Sequence, residues 1–228
     1  MPQLPAFLTP LTRLFGAPAE VAAIADLGPW LRRVRFTGEA LAHKPWRPGQ
    51  DVEFHVGDGA MRHYTPADWD SERGSFSVVF HLHGHGPGSR WAAGLAVGDA
   101  VRVLGPGGRH GMVAAQRHLI VGDETALGLA YALHAAQPAA SHAVFEVDDD
   151  AAAARALLPF ATVVHRAGGR GDALAAALRA AARPGDVAYL VGHAATMQRL
   201  RRLWIDELRL PASAARVKAY WADGRRGL

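Results

Sequence analysis

Arg62, Tyr64 and Thr65 are the residues whose types and spacing point most directly to chemistry. Arg62 and Tyr64 are two positions apart, so on a β-strand their side chains share one face. A guanidinium group suits a phosphate, and a flat aromatic ring suits stacking on a π-system. Thr65 adds a hydroxyl that can donate or accept a hydrogen bond. The alternative is an ordinary strand with a surface arginine and a half-buried tyrosine.

A glycine-rich segment follows the apolar, β-branched strand predicted at 76–82. Such a break is typical of a loop that leads into a helix, and Ser89 is the expected N-cap residue. Bare backbone N–H groups at a helix start suit a pyrophosphate. The two segments together offer an aromatic platform, an arginine and an anion cradle, which suits a flavin dinucleotide. The residues of the second segment are His83, Gly84, Gly86, Pro87, Gly88, Ser89 and Trp91.

His81, His83 and His85 alternate along the chain and suggest a second interpretation. On one strand face three imidazoles could bind a metal ion. A cupin-like site would also require a glutamate a few residues later, where Pro87 and Gly88 stand. A polar barrel face explains His81 and His85 equally well. We therefore predict no metal site and keep the metal interpretation as an alternative.

In their order and spacing these segments resemble the siderophore-interacting protein family, the FAD-dependent ferric-siderophore reductases. Two positions depart from the family pattern. The family often has a second arginine where this chain has Ala67, and usually has a glutamate where it has His193. The resemblance extends from about Arg33 to the C-terminus. Its motifs are R-x-Y-T at 62–65, H-G-x-G-P-x-S-x-W-A at 83–92, G-D at 98–99, G-P-x-G at 105–108 (followed by Arg109), GDETAL at 122–127, HRAGG at 165–169 and AYWADG at 219–224.

The resemblance implies roles for the first set of residues. Arg62 would clamp the pyrophosphate of FAD, Tyr64 would stack on the isoalloxazine and Thr65 would hydrogen-bond to the flavin. His83 is assigned to the flavin with the rest of the glycine-rich segment. Thr125 would lie near the nicotinamide or the flavin edge, or else serve as a plain N-cap.

The second half of the chain offers further cations and aromatic residues. His165 and Arg166 follow a predicted strand, where a cation could hold the 2′-phosphate of NADPH, or simply be solvated. Basic residues near the C-terminus attract anionic ferric chelates in the resembled family. The candidates here are Arg199, Arg202 and Lys218, and a solvated charged helix face is the alternative. Tyr220 and Trp221 could cover the flavin or pack at a sheet edge.

Composition limits the classes of function. The chain has 228 residues and no cysteine, which excludes disulfides, iron–sulfur ligation by thiolates and a thiol nucleophile. A net charge of +4 favours anionic partners. The arginines are scattered rather than interleaved with aromatic residues, so nucleic acid is not expected. No apolar run could span a membrane, and the proline-rich N-terminus is a poor signal peptide. We expect a cytoplasmic monomer without a stable membrane anchor.

The pattern of the chain changes near Gly111. Before it, about six short strands with frequent glycine turns predict a small antiparallel β-barrel. Afterwards short apolar strands alternate with helical segments, which predicts a parallel α/β domain. The predicted domains are an FAD-binding β-barrel at 1–113 and an NAD(P)H-binding α/β domain at 114–228, the layout of ferredoxin reductases. Local predictions include a short helix or irregular arm at 1–20, a single β segment within 20–40, a hairpin turn at 57–59, a polar loop at 67–74 and helices at 125–136, 149–158, 172–182 and 195–208.

The resemblance, taken with these features, implies an FAD-dependent reductase that releases iron from ferric siderophores, with NADPH or ferredoxin as electron donor. No arrangement of serine, histidine and aspartate suggests acyl-transfer chemistry. One alternative is a flavin or ferredoxin-type NAD(P)H reductase with another electron acceptor. Another is a protein that binds FAD or a siderophore without turnover.

Overall fold

The computed structural model describes residues 16–57, 60–108, 111–148 and 151–225. The chain forms two compact units, residues 1–112 and 113–228; the sequence predicts the boundary one residue later. Four predicted features lie wholly or partly outside the described residues. They are the N-terminal arm, the turn at Asp58 and Gly59, Arg109, and the first two residues of the helix predicted from Asp149.

The described part of the first unit is a seven-stranded antiparallel sheet in the order β4-β3-β7-β1-β2-β6-β5, with one α-helix, α1. The end strands β4 and β5 are not hydrogen-bonded to each other, so the barrel is not closed. The elements are β1 Ala17–Gly28, β2 Leu31–Thr37, β3 Asp51–His55, β4 Met61–Tyr64, β5 Pro66–Asp70, β6 Ser75–His81, α1 Gly86–Gly94 and β7 Ala100–Gly107.

Alternate residues of these strands build the core of the first unit. Phe36, Phe54, Phe76 and Phe80 are fully buried, and their rings contact one another around Phe36. Because strand side chains alternate between faces, one face of each strand supplies this core. The predicted polar loop at 67–74 is wrong in its first part, which forms β5.

The second unit is a five-stranded parallel sheet in the order β10-β9-β8-β11-β12. Short apolar strands buried on both faces and separated by helices produce such a sheet. No helix in the described part of either unit is long and apolar enough to cross a membrane. The elements are β8 Arg117–Gly122, α2 Leu127–Ala136, β9 Ser141–Val147, α3 Ala151–Leu157, β10 Thr162–His165, α4 Asp172–Ala181, β11 Asp186–His193, α5 Ala194–Arg202 and β12 Ala215–Trp221.

The strand order of the second unit reverses between β8 and β11. The first three strands run outward from β8 in one direction, and β11 and β12 lie on its other side. In open α/β sheets, ligands bind at the carboxyl ends of the strands where the order reverses. Here that place is formed by Gly122 and Asp123 after β8 and by Gly192 and His193 at the end of β11.

Candidate functional site

Helix α1 and strand β4 meet at Gly88. A Cβ atom at this position would lie 2.4 Å from the Tyr64 hydroxyl and 3.4 Å from Cγ of Arg62. Only glycine allows this approach, because real Cβ contacts are longer. Arg62 and Tyr64 therefore share the strand face that looks towards the start of α1, as their spacing predicts.

Tyr64 is half-buried and fixed by aromatic neighbours. Its ring packs edge-to-face on Phe80 with a centroid distance of 4.6 Å and contacts Phe54 at 6.1 Å. Burial raises the pKa of Tyr64 to about 12, with the Arg62 charge opposing the shift. The phenol is therefore neutral near pH 7 and can donate a hydrogen bond beside the start of α1.

The glycine-rich segment forms a tight loop into α1, but its cap differs from the predicted one. The helix begins at Gly86 with His85 at the N-cap, so the assignment of Ser89 as N-cap is wrong. Ser89 is buried inside the helix, and its hydroxyl accepts a hydrogen bond of 3.1 Å from the backbone N–H of Gly84. No side chain caps the helix start and no acidic residue lies in its first turn. Its N–H groups remain suited to an anion.

Three histidines surround this loop. The Nδ1 atom of His83 accepts a hydrogen bond of 3.2 Å from the backbone N–H of His85. Burial, then the nearby His81 and His85, lowers the pKa of His83. The neutral ring consequently carries its proton on Nε2. Across the described ranges no three His, Asp or Glu side chains are arranged to hold a metal ion.

The remaining residues predicted for FAD have structural surroundings of their own. Thr65 is buried between β4 and β5, and Pro87 lies in the first turn of α1. Trp91 packs on Phe54 at 5.0 Å and on Phe80 at 5.9 Å, so it attaches α1 to the core. The structure thus brings Arg62, Tyr64 and the start of α1 together.

Replacing Gly88 with alanine tests this contact. The new methyl group must displace the Tyr64 hydroxyl, because they would lie only 2.4 Å apart. We expect FAD affinity to fall about tenfold, measured by titrating the apoprotein with FAD. Helix stability should not fall, since alanine is favoured over glycine by about 1 kcal/mol in a helix interior.

Gly94→Ala is the matched control for Gly88→Ala. Gly94 ends the same helix, and a Cβ atom there would have no neighbour within 4 Å. Equal FAD affinities for the two variants would contradict a role for the contact between Gly88 and Tyr64.

In the second unit, Asp123 joins the strand ends at the switch point. One carboxylate oxygen accepts hydrogen bonds from the backbone N–H and the hydroxyl of Thr125. The other accepts from the His193 backbone N–H at 2.8 Å and from the Trp221 indole at 2.9 Å. Gly192 allows this, since a Cβ there would lie 2.4 Å from the same carboxylate. Thr125, a predicted nicotinamide contact, is therefore held by Asp123.

Arg166 does not present a free cation. Its guanidinium donates to Glu146 at 3.2 Å and to Asp148, and lies 3.8 Å from Glu124. Three carboxylates surround one arginine, which repels rather than attracts a further phosphate. This arrangement contradicts the predicted role of Arg166 at the 2′-phosphate of NADPH. His165 ends β10 with an exposed side chain.

Glu146 is a buried charged residue beside the candidate site that the sequence analysis missed. It is 1% exposed and also accepts hydrogen bonds from the backbone N–H groups of Gly171, at 2.8 Å, and Leu174, at 3.3 Å. It therefore occupies the start of α4, where a phosphate would otherwise bind. The sequence signal that could have identified Glu146 was its position within an apolar strand, because a buried carboxylate needs hydrogen-bond or ion-pair partners.

Glu124 makes stability depend on pH. Burial raises its pKa from 4.5 to about 6, and the nearby Asp123 charge adds to the rise. The folded state therefore holds this proton more tightly than the unfolded state, so stability falls as pH rises from about 4.5 to 6. We expect Glu124→Gln to be more stable than wild type at pH 7.5, by up to about 2 kcal/mol, and similar to it at pH 4.5. Chemical denaturation at both pH values measures this; an equal difference at both would contradict it.

A second cluster of charged and polar side chains lies at the carboxyl edge of the parallel sheet, beside the switch point. Asp223 accepts hydrogen bonds from Nη1 of Arg170 at 3.0 and 3.2 Å, and its Oδ2 lies 3.3 Å from Nε2 of His193. Trp221 contacts both side chains, with the Arg170 guanidinium 4.7 Å and the His193 ring 4.6 Å from its centroid. Thr196 contacts Nδ1 of His193 at 3.0 Å.

The three cations predicted for a ferric chelate do not form one patch. Arg199 is bound to the Gly171 carbonyl and to Asp172 at 2.9 Å. Arg199 and Arg202 line a depression of about 500 Å³ that also contains three acidic residues. Lys218 lies over the Tyr220 ring at 5.3 Å. Its neighbour Val217 packs with α5, so Lys218 points to the opposite sheet face.

Comparisons with known proteins agree with this architecture. Residues 55–110 match the siderophore-interacting FAD-binding domain, and residues 115–224 match the siderophore-interacting protein domain. An uncharacterized protein of Mycobacterium tuberculosis is 33% identical over 188 residues, which is 72% of this chain and 66% of the relative. The chain thus spans slightly less than two thirds of that relative's length.

Solved structures share the fold. A siderophore utilization protein from T. fusca superposes with a TM-score of 0.77 at 25% identity, covering 93% of this chain and 95% of that one. The flavohaem-like FAD/NAD binding domain of nitric oxide dioxygenase from Vibrio cholerae superposes with a TM-score of 0.70 at 13% identity, covering 91% and 99%.

The residues present fit an FAD group. The start of α1 has no side-chain cap and no acidic residue in its first turn, and it lies beside Arg62 and the neutral phenol of Tyr64. Gly88 lets the helix approach these two side chains closely. The FAD-binding match includes all of these residues. With its two domain matches and its ferredoxin-reductase-like fold, the chain belongs to the siderophore-interacting protein family.

Proposed function

We propose that this chain is an FAD-dependent reductase that uses NADPH to reduce the iron of ferric siderophores. The observation that carries the proposal is the contact of Gly88 with Tyr64 and Arg62, which joins an uncapped helix start to a phosphate-binding side chain. When bound, a flavin accepts a hydride from a nicotinamide and passes electrons singly to an acceptor. Ferrous iron binds catecholate and hydroxamate oxygens much more weakly than ferric iron, so reduction releases it.

The residues of the chain bind and orient rather than transfer protons. Arg62 and the start of α1 hold the anionic part of FAD, and Tyr64 holds the ring system with a phenol that stays neutral near pH 7. Thr65 and His83 Nε2 supply hydrogen bonds to the flavin edge. The second unit supplies the nicotinamide site at its switch point, next to Thr125 and Trp221. Arg202, which is exposed, is the favoured cation for an anionic chelate.

An anaerobic absorption spectrum before and after addition of NADPH tests the proposal first. We expect a flavin spectrum that bleaches with NADPH and returns when a ferric siderophore is added, with ferrous iron trapped by a coloured chelator. A flavin that bleaches but reoxidises only with free flavin would instead favour a flavin reductase.

Two further outcomes identify the remaining candidates. A flavin that resists NADPH and bleaches with reduced ferredoxin would identify ferredoxin as the donor. A flavin that resists both donors would favour a binding protein without turnover. Failure to bind FAD at all would overturn the proposal.

A further inference from the structure

We propose that Arg170 and His193 bind a phosphate group of the nicotinamide dinucleotide, at the place that the Asp223 carboxylate occupies in the structure. The inference rests on the proposed function for the identity of the ligand. Its geometry comes entirely from the second unit.

Arg170 and His193 are built into the fold, whereas their carboxylate partner is not. The His193 side chain is 9% exposed and the Arg170 side chain 34%, but the Asp223 side chain is 71% exposed. Trp221 contacts both side chains, and its indole donates a hydrogen bond to Asp123. The carboxylate can therefore leave without disturbing the groups that bind it.

Arg170 also retains an unused donor. Its Nε atom is buried and has no hydrogen-bond partner in the described part of the chain. Both hydrogen bonds to Asp223 come from Nη1, so the carboxylate does not use the guanidinium fork, which can bind a phosphate through two parallel hydrogen bonds. A phosphate has more acceptor oxygens than the carboxylate and can use donors that Asp223 leaves unpaired.

The location fits a dinucleotide. Arg170 reaches the carboxyl end of β11 from the loop after β10, and His193 ends β11 itself, on the edge where open α/β sheets bind ligands. The neighbouring candidates are engaged, because Arg166 lies among three carboxylates and Glu146 occupies the start of α4. Asp223 thus acts as an internal competitor for the site.

Titration calorimetry with NADP⁺, NAD⁺ and inorganic pyrophosphate, none of which can reduce the flavin, tests this site on the FAD-loaded protein. The Asp223→Asn variant should bind each of these anions about two- to fivefold more tightly than wild type, because the substitution removes an exposed ion pair that competes with the ligand. Arg170→Met should bind about tenfold more weakly, since a hydrogen bond to a charged group is lost. In the Arg170→Met background, Asp223→Asn should give no gain.

The controls separate this site from general charge effects. Asp206→Asn removes one exposed negative charge from the same unit and should leave affinity unchanged. Arg170→Lys keeps the charge without the fork and should give an intermediate affinity. An effect of Arg170 on NADP⁺ alone assigns the 2′-phosphate, and an effect on both nucleotides assigns the pyrophosphate.

Three results would overturn the inference. They are wild-type affinity in Arg170→Met, equal gains in Asp223→Asn and Asp206→Asn, and no binding of any of the three anions. If pyrophosphate binding depends on Arg170 but NADPH does not bleach the flavin, the anion site stands and the proposed donor is wrong. If NADPH bleaches the flavin equally well in Arg170→Met, with unchanged affinity, the proposed function stands and this site does not.

Discussion

Arg62→Met is expected to purify with little or no FAD and to bind added FAD about 10- to 100-fold more weakly than wild type. The loss corresponds to hydrogen bonds from a charged group to phosphate oxygens, which contribute about 1.5–3 kcal/mol. Methionine keeps the stem that packs against Gly88, so α1 should remain in place. The family's second arginine is absent at Ala67, which is 1% exposed in β5, so that position supplies no cation to compensate.

Two comparisons define the cause of this loss. Arg73→Met removes an exposed arginine from the same unit and should leave FAD affinity unchanged. Tyr64→Ala should also lose FAD, through the ring rather than the charge, so the affinity lost in this variant should depend less on salt concentration than the affinity lost in Arg62→Met. Full flavin occupancy in Arg62→Met, measured by absorbance against protein concentration, would show that Arg62 does not hold the cofactor.

The parallel sheet was predictable, because its strands are short apolar runs between helical segments. The short apolar strands predicted after Gly111 are the five strands of this sheet. The antiparallel unit was harder. The residues of β5, PADWD, read as a loop because they include proline and two aspartates, but an edge strand tolerates proline at its first position. Strand β1 is rich in alanine and is fixed by pairing with both β2 and β7.

The prediction of Ser89 as the N-cap of α1 was wrong for a local reason. Ser89 is a good N-cap type, but Pro87 also favours the first turn of a helix, and the helix begins before Ser89. The hydroxyl of Ser89 instead stabilises the preceding loop through Gly84. A proline two residues before a candidate cap was the signal that could have moved the helix start.

The site residues of the second unit could not be assigned from local sequence. HRAGG looks like a loop with a free cation, whereas the partners of Arg166 come from 124–148. Likewise, Asp223 is distant in sequence from Arg170 and His193. The three side chains contact one another only because the fold of the parallel sheet brings them to the same edge. Segment types follow from composition, but ion pairs between distant segments depend on the topology.

Arg166→Met is expected to lower the free energy of unfolding of the second unit by about 3–5 kcal/mol. Removing one partner of a buried ion pair leaves the other charge uncompensated. Here the Arg166 side chain is 16% exposed, and those of Glu146 and Glu124 are 1% and 7% exposed. Urea denaturation followed by circular dichroism measures the loss, which is a large part of a typical stability.

Three further variants show whether the charge cluster is responsible. Arg183→Met changes an exposed arginine in the same unit and should alter stability by no more than about 0.5 kcal/mol. Arg166→Lys should retain part of the stability, since an ammonium group keeps the charge but cannot span three carboxylates. Adding Glu146→Gln to Arg166→Met should recover part of the loss, because it removes one uncompensated charge.

The opposite results for stability and binding would support the role that the sequence predicts for Arg166, which is to bind the 2′-phosphate of NADPH. If it held the 2′-phosphate, Arg166→Met would unfold like wild type and would bind NADPH more weakly while binding NADH equally well. The structure predicts the reverse, because a guanidinium held among three carboxylates stabilises the fold and leaves phosphate recognition to other residues.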